Sequence, residues 1–257
     1  MTLVEFGQHN AHTVILLHGG GLSWWNYRET AKYLAESFHV VLPVLDGHGG
    51  SDAPFVSIEE TASRLIAWLD ARFDGQVMAI GGLSLGGQVT LEILAQRPDI
   101  CQYALVESAL VTPMKLTHAL IRPAFGMSYG LIRQKWFAKC QSAYLGIPKE
   151  CFEDYFRDTS RIHKADMIAF LRANSAYAVK PALSKTKARV KILAGEREQR
   201  NIRNSAKLLH TVIPGSDLEL LPGLRHGELS LCHPEQYANL LTNWIGGNEY
   251  DDERNDL

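Results

Sequence analysis

Six short apolar runs, at residues 12–17, 38–44, 77–81, 103–107, 190–194 and 218–221, most narrowly limit what this chain can fold into. Each is rich in Val, Ile or Leu and is soon followed by Gly, Asp, Ser or Glu, the pattern of a strand buried on both faces. Helical spacing lies between them, at about 24–37, 58–73, 85–97, 202–213 and 234–245. Ser57, with Glu60 three residues later, reads as a capping box opening the second of these helices. Strands alternating with helices predict an α/β fold with a doubly wound, mostly parallel sheet.

One segment breaks the alternation. Residues 114–183 show helical patterning and no strand, and a structureless loop of that length is implausible inside a compact domain, so a helical insertion is expected. It holds ten of the 23 aromatic residues and 11 Lys/Arg against five Asp/Glu. The plain reading is that the aromatics pack the insertion onto the sheet and the charges form a solvated face. A minority of the aromatics, with Trp136 and Phe137 the first candidates, are expected to line an apolar pocket beneath. The basic excess would also draw an anionic substrate toward the entrance.

Composition removes several classes. The 257 residues are 46% hydrophobic and 21% charged, with a formal charge of −2, which suits a soluble globular chain and not a nucleic-acid-binding protein. No apolar run approaches the length of a membrane span, and the first residues lack the basic flank and apolar stretch of a signal peptide. Cys101, Cys140, Cys151 and Cys232 are far apart, with no CxxC pair, so neither a disulfide framework nor a metal site is expected. A cytoplasmic location follows as the expectation. The acidic tail, 249–257, is expected to be frayed. The sequence carries no signature of an oligomeric state.

The strongest chemical signal is Gly82-Leu83-Ser84-Leu85-Gly86. A G-x-S-x-G string alone is weak. This one directly follows an apolar strand and opens a helix with apolar residues at Leu85, Val89, Leu91 and Leu94, which is the context of a nucleophile elbow. A serine on such a turn sits in a strained conformation, with its hydroxyl projecting from the sheet edge beside a helix N-terminus.

On these residues the chain resembles the α/β-hydrolase superfamily from about residue 12 to 245. His18-Gly19-Gly20-Gly21, after the first strand, is similar to that family's oxyanion loop, and Asp46-Gly47-His48-Gly49-Gly50-Ser51 to its G-H-G-x-S turn. The resemblance implies an α/β-hydrolase fold with a sheet of six or seven strands, shortened at the N-terminus where the family usually has a hairpin. It also implies a core of residues 1–112 and 184–257 with a helical lid at 113–183.

A serine hydroxyl needs a base before it can attack. Of the ten histidines, His226 follows the last strand and precedes the C-terminal helix, where the family places its base; His18 and His48 belong to structural turns and His233 to a helix start. The acid that orients the base is left between two residues. Glu198 stands three positions after Gly195, where the family usually has an aspartate, and gives the chain order Ser84, Glu198, His226. Glu107, at the end of the strand after the nucleophile helix, is the alternative. The oxyanion donors implied are the backbone N–H of Leu85 and of Gly20, with Gly21 as the alternative.

The leading expectation is a serine hydrolase of carboxylesterase type, cleaving an ester, thioester or lactone of a small molecule through an acyl-enzyme, with no metal or organic cofactor. C–C bond hydrolysis or lyase chemistry on the same residues stays open. So does a ligand-sensing protein of this fold with little turnover. Haloalkane dehalogenation is excluded, because it needs an aspartate where Ser84 stands.

Overall fold

The computed structural model describes residues 1–255, with side chains through 247. The acidic tail, 249–257, lies outside the residues whose side chains are described. Seven strands form one sheet: β1 (Leu3–Phe6), β2 (Thr13–Leu17), β3 (His39–Pro43), β4 (Val77–Leu83), β5 (Cys101–Glu107), β6 (Arg189–Gly195) and β7 (Asp217–Leu221). Their order is β1-β3-β2-β4-β5-β6-β7, with all neighbours parallel except β1, which runs antiparallel to β3. This is the mostly parallel sheet that the strand–helix alternation predicts, within the six or seven strands that the resemblance to α/β-hydrolases implies.

The edge strand β1 was not among the six expected runs. Its four residues are only half-buried, so they lack the continuous apolar signature of a central strand, and their place comes from pairing with residues 40–43 of β3.

Alternate residues of the central strands feed two cores. Ile15 and Leu17 of β2 face the side covered by α2 (Ile58–Arg72), α3 (Leu85–Gln96) and α8 (Arg200–Val212). Val14 and Leu16 face the side covered by α1 (Arg28–Leu34), the short α9 (Glu228–Cys232) and α10 (Pro234–Asn255). The capping box at α2 forms, with Ser57 Oγ accepting the N–H of Glu60 at 3.1 Å. The helix expected at 24–37 is instead a 3-10 turn, Trp24–Tyr27, leading into α1. Trp25, Asn26 and Tyr27 are all buried, and α-helical periodicity does not put three consecutive side chains on one face.

Between β5 and β6 come four α-helices, α4 (Lys115–Ser128), α5 (Lys135–Tyr144), α6 (Phe152–Thr159) and α7 (Lys164–Ala176), with three short 3-10 turns and no strand. Polar ties join them to the core. Trp25 Nε1 donates to Asp158 at 3.0 Å, Arg28 pairs with Asp154 at 2.6 Å, and the N–H of Phe55 donates to Asp166 at 2.9 Å. Among the described residues no helix is long and apolar enough to cross a membrane.

Candidate active site

The site lies at the carboxyl ends of β2, β4, β5, β6 and β7, where parallel sheets present their loops. Ser84 occupies the sharp turn from β4 into α3 at φ 52° and ψ −107°, a conformation that costs a residue with a Cβ about 1–3 kcal/mol. The turn is held by two hydrogen bonds: the N–H of Ser84 donates to the carbonyl of Glu107 at 2.8 Å, and that of Gln88 to the carbonyl of Ser84 at 2.9 Å. The flanking glycines are needed for space. A Cβ on Gly82 would overlap the Gly86 carbonyl, and one on Gly86 would overlap the carbonyl of Leu17.

His226 sits on the turn between β7 and α9. Its Nδ1 lies 2.8 Å from Oε2 of Glu198, which is carried by the turn between β6 and α8. The Glu198 carboxylate is fully covered, whereas the His226 ring is 45% exposed. Burial pushes the Glu198 carboxyl up, but hydrogen bonds from His226, Ser108 and the Gly195 N–H outweigh it and hold the group below its ordinary range. Ser108 Oγ donates to Oε1 at 2.6 Å and Gly195 N–H donates to the same atom at 2.9 Å. Every carboxylate oxygen therefore has a donor.

Glu107, the alternative acid, is placed otherwise. Its carbonyl holds Ser84, while its carboxyl turns into the core under α9, where Oε1 accepts the Ser230 N–H at 3.4 Å and Oε2 has no partner. Burial pushes this carboxyl up to about 7. The structure thus brings Glu198, not Glu107, to Nδ1 of His226.

Ser84 and His226 together line two cavities. The smaller, about 170 Å³, has Gly19, Gly20, Leu85, Ile147 and Phe170 in its wall. Leu85 opens α3, so its N–H has no acceptor within the helix. Gly20 faces it closely enough that an added Cβ would lie 3.6 Å from Leu85 Cβ. Gly21 does not line this cavity, and its carbonyl accepts the Thr159 hydroxyl at 3.0 Å. His18 braces the glycine loop from beneath, with Nε2 accepting the Leu45 N–H at 3.0 Å and Nδ1 donating to the Gly19 carbonyl at 2.9 Å. Burial and the neighbouring His48 lower its pKa to about 3, so it is neutral.

The larger cavity, about 640 Å³, also reaches Glu198 and is bordered by Tyr144, Asn174, Arg197 and Arg225. Trp136 and Phe137 line neither cavity. Trp136 is exposed and stacks edge-on against Phe137, which packs on the core. Tyr144 and Phe170 are the insertion aromatics that reach the site. Tyr144 ends α5 where the chain passes the larger cavity beside Leu145 and Gly146, whereas Trp136 lies in the first turn, away from it. Ser108 escaped the sequence reading altogether. Its φ of 57° and its bonds to Glu198 and the Gly227 N–H depend on how three loops meet, for which one serine gives no signal. Among the described residues no group of three or more His, Cys, Asp or Glu side chains is arranged to hold a metal ion.

The sequence model described as the alpha/beta hydrolase family matches residues 14–240. An AB hydrolase superfamily protein of Gibberella zeae is 26% identical over 255 residues, covering 95% of this chain and 84% of the relative. A pimeloyl-[acyl-carrier protein] methyl ester esterase of Aromatoleum aromaticum is 34% identical over 89 residues, covering 35% of this chain and 34% of the relative. Among solved structures, a thermophilic esterase from Thermogutta terrifontis superposes with a TM-score of 0.75 at 19% identity, covering 96% of this chain and 93% of that one.

Proposed function

This chain belongs to the alpha/beta hydrolase family, and within it we propose a serine hydrolase of the carboxylesterase type. One relation carries the reading: the 2.8 Å contact between His226 Nδ1 and a covered, hydrogen-bonded Glu198, at a cavity shared with a serine at φ 52°. The likeness of one segment to a methyl ester esterase agrees with it.

In this mechanism Ser84 Oγ attacks the ester carbonyl carbon as its proton passes to Nε2 of His226. The electron pair of the C=O bond moves to oxygen, where the N–H groups of Leu85 and Gly20 receive it; such donors are each worth roughly a hundredfold or more in rate. The C–O bond to the leaving alcohol breaks and the alcohol takes the proton from Nε2. Water, deprotonated by the same nitrogen, then attacks the acyl-enzyme and releases the acid and Ser84. Glu198 keeps the imidazole in the tautomer with its proton on Nδ1 and stabilises the imidazolium. Residues 113–183 act as a lid over a core of 1–112 and 184–257, with the substrate a small molecule held beneath.

A fluorophosphonate probe and a panel of short p-nitrophenyl esters test this together. The expected result is labelling at Ser84 and turnover of several esters. Labelling without turnover would replace the esterase by a ligand sensor, and no labelling would remove Ser84 as nucleophile.

A further inference from the structure

The two cavities that meet at Ser84 and His226 differ in chemistry. The smaller is walled almost wholly by glycines and apolar side chains. The larger is edged by two arginines, Arg197 and Arg225, with Gln199 and Asn201 beside them, and Asn174 borders both cavities.

The two arginines hold equivalent places. Each is the residue immediately before one member of the Glu198–His226 pair, and their loops are tied together by the Arg197 N–H donating to the Leu224 carbonyl at 3.0 Å. The two arginines therefore stand on a common, braced corner of the cavity wall. Neither Arg197 nor Arg225 has a carboxylate within salt-bridge distance among the described residues, so both side chains are available to a ligand.

Two carboxylates reach the same cavity, and both are engaged. Glu198 is bound by three donors, and Glu228 turns back to accept the Arg225 N–H at 2.8 Å. The cations at this wall come from the core loops; no Lys or Arg of residues 113–183 lines either cavity.

We propose that the substrate carries an oxyanion, a carboxylate or a phosphate, on the side of its scissile bond that enters the larger cavity, and that Arg197 and Arg225 bind it. This rests on the ester-hydrolase reading above. A planar guanidinium fork matches such a group geometrically, and two cations on one wall add their attraction for an anion. The opposite side of the ester is small and apolar, as the smaller cavity requires.

The test compares esters that differ only in the charge. Monomethyl glutarate is set against methyl pentanoate, with the anion on the acyl side, and 3-acetoxypropanoate against propyl acetate, with the anion on the alcohol side. In one of these pairs kcat/KM is expected to be about tenfold higher for the anionic ester at low salt, and the advantage to shrink as ionic strength rises. Arg197→Gln with Arg225→Gln lowers kcat/KM for that anionic ester about tenfold more than for its neutral counterpart. Running 2-acetoxyethyl phosphate beside 3-acetoxypropanoate tells which oxyanion the arginines prefer.

Binding of uncleaved isosteres separates this inference from the hydrolase reading. By calorimetry, N-methylglutaramate or N-acetyl-β-alanine should bind about tenfold more tightly than N-methylpentanamide or N-propylacetamide, and the double variant should lose the difference. Equal affinity within both pairs, or a preference that survives in the double variant, overturns the proposal even if neutral esters are hydrolysed.

Discussion

Ser108 donates its hydroxyl to Oε1 of Glu198 at 2.6 Å, which leaves the other carboxylate oxygen free to receive Nδ1 of His226. The same hydroxyl accepts the N–H of Gly227, the residue after His226, at 3.3 Å. One buried side chain thus sets both the carboxylate and the turn that carries the imidazole. Ser108→Ala is expected to lower kcat about tenfold with KM little changed, the loss of roughly one charge-assisted hydrogen bond acting through imidazole orientation. Steady-state kinetics on a neutral ester measure the split; a rise in KM at constant kcat would move Ser108 to substrate binding.

Replacing Ser84 separates chemistry from conformation. Ser84→Ala should abolish probe labelling and turnover while melting close to the wild type, because alanine retains the Cβ that makes φ 52° unfavourable. Ser84→Gly should also be inactive but more stable by about 1 kcal/mol, a rise of a few degrees in melting temperature. Equal melting of the two variants would show that the elbow stores no strain.

The two glutamates should respond oppositely in kinetics. Glu198→Gln removes the charge facing the imidazolium and is expected to lower kcat about a thousandfold. Glu107→Gln leaves the His226 partner in place, so its kcat should stay within a few-fold of the wild type. A larger loss in the second variant than in the first would exchange their roles.

Stability against pH should tell the same two residues apart. Burial raises the folded pKa of Glu107 to about 7, so the protonated form is the one that the core accommodates. Its contribution is complete below the unfolded value near 4.5 and is lost as pH rises through 7, an effect of roughly 3 kcal/mol at most. Glu198 is depressed, so its contribution is present above the unfolded value and is lost as pH falls through the folded one. Glu107→Gln is therefore expected to flatten the decline in urea stability between about pH 5 and 8 relative to wild type. Parallel curves for the two proteins would contradict a buried neutral carboxyl.

The sequence made the sheet legible because parallel strands buried on both faces leave uninterrupted apolar runs, as at Val40, Val41 and Leu42. The half-buried edge strand at Leu3–Phe6 leaves no such trace. Ser84 was readable from local context, since strand, tight turn and helix lie contiguous in the chain. Glu198 stood ahead of Glu107 only by its place three residues after Gly195, because the sequence does not show the path of one carboxyl into the core and of the other toward a loop 28 residues away. That a few insertion aromatics reach the site was legible, but Tyr144 and Phe170 do so in place of Trp136 and Phe137, because which stretch of the insertion lies over Ser84 depends on how α5 and α7 dock.

Gly86 rests directly on the peptide of Leu17 and His18, with no side chain between them. The start of α3 and the loop carrying Gly20 are consequently gauged from the same stretch of main chain. The gap between nucleophile and facing amide is thus set by main chain lying against main chain. A single methyl on Gly86 would shift two partners in the chemistry at once. Gly86, like Gly82 before the serine, meets main chain that has no side chain to yield, and a substitution there must move the backbone that carries the chemistry.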